Sequence, residues 1–180
     1  DIETLINRGA DVLVLLAQSA EAIIPSLEKA KDAGIPVIAY DRLIEDPDVL
    51  YITFDNTGVG EAEAAALFEV VPEGTYVIIK GDPGDPNAST FLPAGFDNAG
   101  LADKVAAGEI EIFDDKFTPA WSTETAQNTM EAIIDRANAE GVQIDAVLAE
   151  NDSTALGVAA ALQAKGYDIP VSGQDGDQAN

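Results

Sequence analysis

Apolar and polar positions along the chain follow two alternating patterns. Short apolar runs rich in β-branched residues occur at 12–17, 36–40, 50–54, 75–80, 110–113, 146–149 and 170–172, and each predicts a strand. Between most of them the apolar residues are spaced for one face of a helix, at 20–33, 59–70, 87–107, 122–140 and 153–165,. Gly34, Gly141 and Gly166 directly follow three of these stretches, where a helix commonly ends in a left-handed residue. Continuous apolar strands joined by helices predict parallel βαβ units. The expected fold class is therefore α/β, with parallel sheets flanked by helices.

The alternation breaks twice. Between Tyr40 and Leu50 the chain reads DRLIEDPD, without a helical pattern. At Phe54 it reads FDNTGVGE, a glycine-bearing turn before an alanine-rich helix. A division there predicts an incomplete first lobe at 1–57 and a nearly complete second lobe at 58–180. The opening DIETLINRG reads as the back end of a helix, and the closing SGQDGDQAN stops where a helix should start. Both ends are expected to be cut from a longer protein.

Composition narrows the function. Of 180 residues, 47% are hydrophobic and 23% charged, which suits a folded domain rather than a disordered one. Nine Lys and Arg stand against 33 Asp and Glu, a net charge of −24. Such a surface repels nucleic acid and anionic lipid. Cysteine and histidine are absent, so no disulfide, Cys nucleophile, Cys/His zinc site or histidine base is available. No apolar run approaches the roughly 20 residues of a membrane-spanning helix. Neither a metal nor a cofactor is expected.

In open parallel sheets, ligands bind beyond the carboxyl ends of the strands. That rule selects Asp41 and Arg42 in one loop, and Asp82, Asp85 and Asn87 in the next. Further on it selects Phe117 and Trp121, then Glu150, Asn151 and Asp152, then Gln174, Asp175 and Asp177. Carboxylates, amides and an arginine can hydrogen-bond hydroxyls in fixed directions. An aromatic plane can cover the C–H face of a sugar ring. A nucleotide would want a glycine-rich phosphate cradle, whereas GDPGDP carries two carboxylates. Each candidate also has a plainer reading. Asp41 and Arg42 can form a surface ion pair, although the other two arginines, Arg8 and Arg136, lie in helical patterns. Asp85 and Asn87, and likewise Asn151, can serve as turn or helix-capping residues. Asp175 can be an ordinary loop residue, and Trp121 can be a packing residue.

The segments PVIAYDRLIEDPDV, YITFDNTGVGE, GDPGDPNAS, AVLAENDSTALG and VSGQDGD, taken together and in this order, resemble the periplasmic sugar-binding proteins of bacterial ABC importers. The resemblance covers essentially the whole chain. It implies a two-lobed type I periplasmic-binding architecture, truncated here at both ends, that traps a monosaccharide between its lobes and delivers it to an importer permease. The implied ligand is D-xylose or a similar pentose or hexose, the implied location is periplasmic or extracellular, and no enzymatic activity is implied. The matching positions are Asp41, Arg42, Asp85, Asn87, Trp121, Asn151 and Asp175. By resemblance, Arg42 and Asn87 donate to sugar oxygens, and Asn151 can donate or accept. Asp41, Asp85 and Asp175 accept from hydroxyls, and Trp121 stacks on the ring. Two positions depart from the pattern: Lys80 stands where a small residue is usual, and Phe117 replaces a larger aromatic. The same fold also serves a sensor that presents a bound sugar to a membrane kinase, and the effector domain of a transcription regulator. A glycoside hydrolase could draw on the carboxylates Asp82, Asp85, Asp152 and Asp175, and sugar turnover would be its signature.

Overall fold

The computed structural model describes residues 2–177. Asp1 and 178–180, which belong to the two ends read as interrupted elements, lie outside that range. The described residues fall into two compact units. The first runs up to Asp55 and includes Gly84–Asn87; the second comprises Asn56–Pro83 and the chain from Ala88 onward.

The first unit contains α1 (Ile2–Asn7), β1 (Leu13–Leu15), α2 (Ile24–Asp32), β2 (Val37–Tyr40) and β3 (Leu50–Ile52). The strands are parallel and lie in the order β1-β2-β3. Alternation along them sends Leu13, Leu15, Val37 and Ala39 to one face, where they bury against Leu27 and Ala30 of α2,. The sequence pattern starts α2 earlier, at residue 20, but Pro25 occupies the first turn, where it lacks no needed N–H,. Gly34 closes the turn after α2 at φ +69°. The helix-free connection after β2 is anchored by buried Ile44 and by Lys31 of α2, 2.6 Å from Asp46. The opposite face of the sheet is different. Val14 is paired in register with Ile38, and Ile38 with Leu50, yet Val14 and Leu50 are 61% and 60% exposed. Tyr40 and Ile52, paired one row along, are also exposed.

The second unit contains α3 (Asn56–Val70), β4 (Gly74–Lys80), α4 (Leu92–Asn98), α5 (Leu101–Ala107), β5 (Ile110–Phe117), α6 (Thr123–Glu140), β6 (Ala146–Ala149) and α7 (Asp152–Lys165). The parallel order β5-β4-β6 leaves β4 in the centre. Its side chains divide by alternation. Tyr76 and Ile78 join Leu67, Phe68, Leu92 and Phe96 in a core under α3 and α4. Val77 and Ile79 join Met130, Ile134, Val158 and Leu162 in a core under α6 and α7. Helices thus cover both faces, the α/β arrangement expected from the sequence.

Three further elements depart from the sequence reading. The stretch 87–107 is not one helix: a π turn at Asn87–Phe91 leads into α4, and Gly100, at φ +101°, separates α4 from α5. The strand expected at 110–113 runs on to Phe117. The polar residues that disguise it sit on an edge strand, where Asp114 and Asp115 meet Arg136 and Lys80 at 2.6 and 2.8 Å,. The strand expected at 170–172 reduces to a single bridge between Val171 and Val147.

Two glycines set the approach of α3 to α4. A Cβ on Gly60 would lie 2.3 Å from the Leu92 carbonyl oxygen, and one on Gly95 would lie 2.2 Å from that of Thr57. The obstacle in both cases is backbone, which cannot swing aside. Gly95→Ala is therefore expected to destabilise the full-length protein by about 3 kcal/mol, read as a lower urea midpoint with unchanged m-value.

Candidate functional site

Two sets of candidate residues are built by the two units. In the first, Asp41 follows β2 with φ +68°, a backbone state uncommon for a residue with a side chain. Its N–H donates to the Ile52 carbonyl at 2.8 Å. Its own carbonyl accepts from the Thr53 hydroxyl at 2.8 Å, the Tyr51 hydroxyl at 3.2 Å and the Asn87 amide at 3.5 Å. The conformation is thus held from several directions. Burial, reinforced by Asp41 and Asp85, keeps the Tyr51 pKa above its ordinary value, so the hydroxyl remains a donor,.

Arg42 comes next, its side chain 14% exposed. Its principal partner is not its neighbour. Nε lies 2.9 Å from Oδ2 of Asp85 and 3.9 Å from Oδ2 of Asp41, and Nη1 donates to Oε1 of Gln18 at 3.1 Å. Asp85 is buried and its other oxygen accepts from the Asn87 N–H at 2.9 Å. The turn-capping reading of Asp85 therefore holds, and the same carboxylate also fixes the guanidinium. Asn87 is buried, with Oδ1 out of reach of any hydrogen-bond donor. A buried acceptor left unmade is costly, and a hydroxyl or amide donor from a bound molecule would satisfy it.

In the second unit, the chain leaves β5 and makes one 3₁₀ turn at Pro119–Trp121, with Ala120 and Trp121 at φ +57° and +55°. Two contacts hold it. The Ala120 N–H donates to Oδ2 of Asp82 at 2.6 Å, and the Trp121 N–H donates to the Thr118 carbonyl at 3.0 Å. The indole then lies face-on over Gly81: a Cβ there would be 2.3 Å from each of three atoms of its six-membered ring. Gly81 is itself fixed by its N–H donating to Oε2 of fully buried Glu150 at 2.7 Å.

Asn151 caps α7. Its Oδ1 accepts from the Thr154 N–H at 3.0 Å, completing a capping box,. Its Nδ2 donates to Oδ2 of Asp175 at 3.2 Å. Asp175 sits at φ +105°, in a loop tied to the start of α7 by Asp152. The Asp152 N–H donates to the Gln174 carbonyl at 2.9 Å, and Oδ2 accepts from the Asp177 N–H at 2.7 Å.

The two departures from the family pattern are one feature. Lys80 and Phe117 are cross-strand partners in the β4–β5 register. The Lys80 ammonium stands 4.1 Å from the Phe117 ring centroid and 2.8 Å from Asp115,.

The first unit thus brings together Asp41, Arg42, Asp85 and Asn87, and the second brings together Asn151 and Asp175 and builds Trp121 on Gly81. Four non-glycine residues have positive φ among the described residues: Asp41, Ala120, Trp121 and Asp175. Asp41, Ala120 and Trp121 follow the carboxyl ends of parallel strands, Asp175 follows the parallel bridge at Val171, and three of the four are sequence candidates. Strained backbone of this kind concentrates at functional sites. Sequence reasoning missed Gln18 and gave Glu150 and Gly81 no role. Gln18 was open to discovery, since it follows the apolar run containing β1 and the strand-end rule applies there as elsewhere.

The periplasmic binding protein domain family matches residues 1–180. The D-xylose-binding periplasmic protein of Escherichia coli strain K12 is 42% identical over 99% of this chain and 53% of its own length. A solved ABC transporter solute-binding protein from Clostridium phytofermentans, holding β-D-glucose, superposes with a TM-score of 0.90 at 41% identity, covering 99% of this chain and 60% of that one. The fructose-binding periplasmic domain of the hybrid two-component system BT1754 superposes with a TM-score of 0.85 at 27% identity, covering 99% of this chain and 58% of that one. The chain therefore spans about half the length of the curated relative it matches.

Proposed function

The chain belongs to the family of periplasmic binding protein domains, and on that premise we propose that the full-length protein is a periplasmic receptor that captures D-xylose and hands it to an ABC importer. The carrying observation is the strained, strand-end backbone of Asp41, Trp121 and Asp175. Positive φ is costly at three polar or aromatic residues, and fixed presentation to a ligand supplies a reason to hold it. In this reading Arg42 and Asn87 meet sugar oxygens, Asn151 and the carboxylates of Asp41, Asp85 and Asp175 order its hydroxyls, and Trp121 covers its C–H face. In this reading the sugar stabilises the conformation of the full-length protein that holds it best, by its differential affinity for that conformation.

Support for xylose comes from the 42% identity to the xylose-binding relative. The glucose-bound structure at 41% makes the hexose the necessary comparator. Calorimetric titration of the full-length protein with D-xylose, D-glucose, D-ribose and L-arabinose tests the assignment. Xylose is expected to bind at about micromolar Kd, roughly −8 kcal/mol, ahead of the others. Glucose binding more tightly would move the assignment to a hexose, and no binding by a folded protein would remove the sugar altogether.

A second reading keeps the chemistry and changes the partner. The fructose-binding domain of a two-component system shares the fold at a TM-score of 0.85, so a sugar-loaded form could signal to a membrane kinase. Xylose uptake lost on deletion of the gene favours the importer; intact uptake with loss of xylose-induced transcription favours the sensor.

A further inference from the structure

The turn that carries Trp121 is held in an unfavourable shape. Ala120 and Trp121 both have positive φ, and such a backbone persists only where surrounding contacts over-determine it. The bond from the Trp121 N–H to the Thr118 carbonyl lies inside the turn and moves with it, so it cannot fix the indole against the sheet. The fixing has to come from the end of β4. The backbone gives one such contact, the Thr118 N–H donating to the Gly81 carbonyl at 2.9 Å. The side chains on either side of Gly81 give two more.

Asp82 is half-buried. Its Oδ2 takes the Ala120 N–H at 2.6 Å, a charge-assisted bond to the first of the two strained residues. Lys80 ties the root of the turn. Its side chain is 15% exposed. Its ammonium is held between Asp115, 2.8 Å from Oδ1 and 3.0 Å from Oδ2, and the face of Phe117 at 4.1 Å,. Phe117 is the last residue of β5, and fully buried Thr118 follows it. The turn is thus pinned at its root by Lys80 and in its middle by Asp82. Gly81 stands between them without a Cβ, so the ring can lie on it. We propose that Lys80 and Asp82 are positioning residues, which set the height and tilt of the Trp121 ring and, through it, the affinity for sugar. The link to affinity rests on the sugar-receptor reading above; the positioning of the ring does not.

The test uses the full-length protein labelled with 5-fluorotryptophan, with the Trp121 fluorine resonance assigned by its disappearance in Trp121→Phe. Fluorine NMR of the sugar-free protein reads the ring, and calorimetry with D-xylose reads the affinity. Asp82→Ala and Lys80→Met should each move or broaden that resonance and weaken binding about tenfold. Asp82→Asn keeps an acceptor for the Ala120 N–H, and Lys80→Arg can stack on Phe117 while pairing with Asp115. Both should restore most of the resonance position and of the affinity. A lower urea midpoint with an unmoved resonance would mark a merely stabilising role and overturns the proposal. A moved resonance with unchanged affinity overturns the link to sugar. Wild-type protein that binds no sugar, with the resonance moved in Asp82→Ala and Lys80→Met, upholds the positioning and faults the receptor reading instead.

Discussion

Replacing Trp121 with alanine in the full-length protein is expected to weaken sugar binding on the order of 100-fold, about 2.7 kcal/mol, while the fold persists. The size follows from the role proposed for the indole: an aromatic wall against a C–H face supplies most of the apolar area that a small polyol can bury. The fold should persist because Trp121 is only partly buried, at the margin of the core under α3 and α4. Gly81→Ala provides the stricter form of the test. The alanine methyl would occupy the space of the indole ring, 2.3 Å from three of its atoms, so the ring must move although the tryptophan remains. Affinity should fall nearly as far as in Trp121→Ala, and tryptophan fluorescence should shift. Calorimetry and near-ultraviolet circular dichroism read both outcomes. Full affinity in Gly81→Ala would mean that the observed ring position is not the binding one.

The second large effect is expected at Asp85. Its carboxylate is 1% exposed and is paired with a guanidinium that is 14% exposed. Removing one member of a buried pair leaves the other charge without compensation, at a cost of about 3–5 kcal/mol. Asp85→Ala should lower the unfolding free energy by that order. It should also weaken sugar binding, because Arg42 would then be held only by Gln18 and, at 3.9 Å, by Asp41. Asp85→Asn separates the two jobs of the side chain. An amide oxygen can still accept from the Asn87 N–H, as Oδ1 does at 2.9 Å, so the turn survives and only the ion pair is lost. Urea unfolding should therefore place Asn between wild type and Ala. Equal stability of all three would make the pair a surface ornament. Arg42→Lys should weaken binding as well, since a lysine cannot reach Asp85 and Gln18 with one planar fork.

Much of the architecture was legible because both faces of the second sheet impose period-two burial. Tyr76 and Ile78 must go one way, and Val77 and Ile79 the other, so β4 announces itself as an unbroken apolar run. The carboxyl half of β5 did not. Asp114, Asp115 and Lys116 read as a loop, since an edge strand can satisfy polar side chains with ion pairs: Asp114, largely covered, meets Arg136, and exposed Asp115 meets Lys80. The helix break at Gly100 was concealed by helical spacing that continues across it. At the site, strand-end position picked out Asp41, Arg42 and Asn151, but their partnerships were not legible. That Arg42 answers to Asp85, 43 positions away in the sequence (85 − 42), depends on how the Gly84–Asn87 loop packs with the first unit. Likewise, Gly81 matters only because a distant turn lays an indole over it, and no local pattern encodes that contact. Lys80 and Phe117, which looked like two separate deviations, prove to be one cross-strand exchange, each residue accommodating the other.

The bare face of the first unit's sheet has a consequence for handling the chain by itself. Val14, Tyr40, Leu50 and Ile52 offer a sticky, flat apolar surface,, while a net charge of −24 keeps molecules apart. Colloidal behaviour is then a contest between a contact attraction, which added salt leaves intact or strengthens, and a repulsion whose reach shrinks from about 30 Å at 0.01 M salt to about 8 Å at 0.15 M. Dilute buffer is therefore expected to keep this polypeptide dispersed, and saline, ordinarily the gentler choice, to strip away the charge barrier and let the sheet faces meet, which light scattering against salt concentration would read.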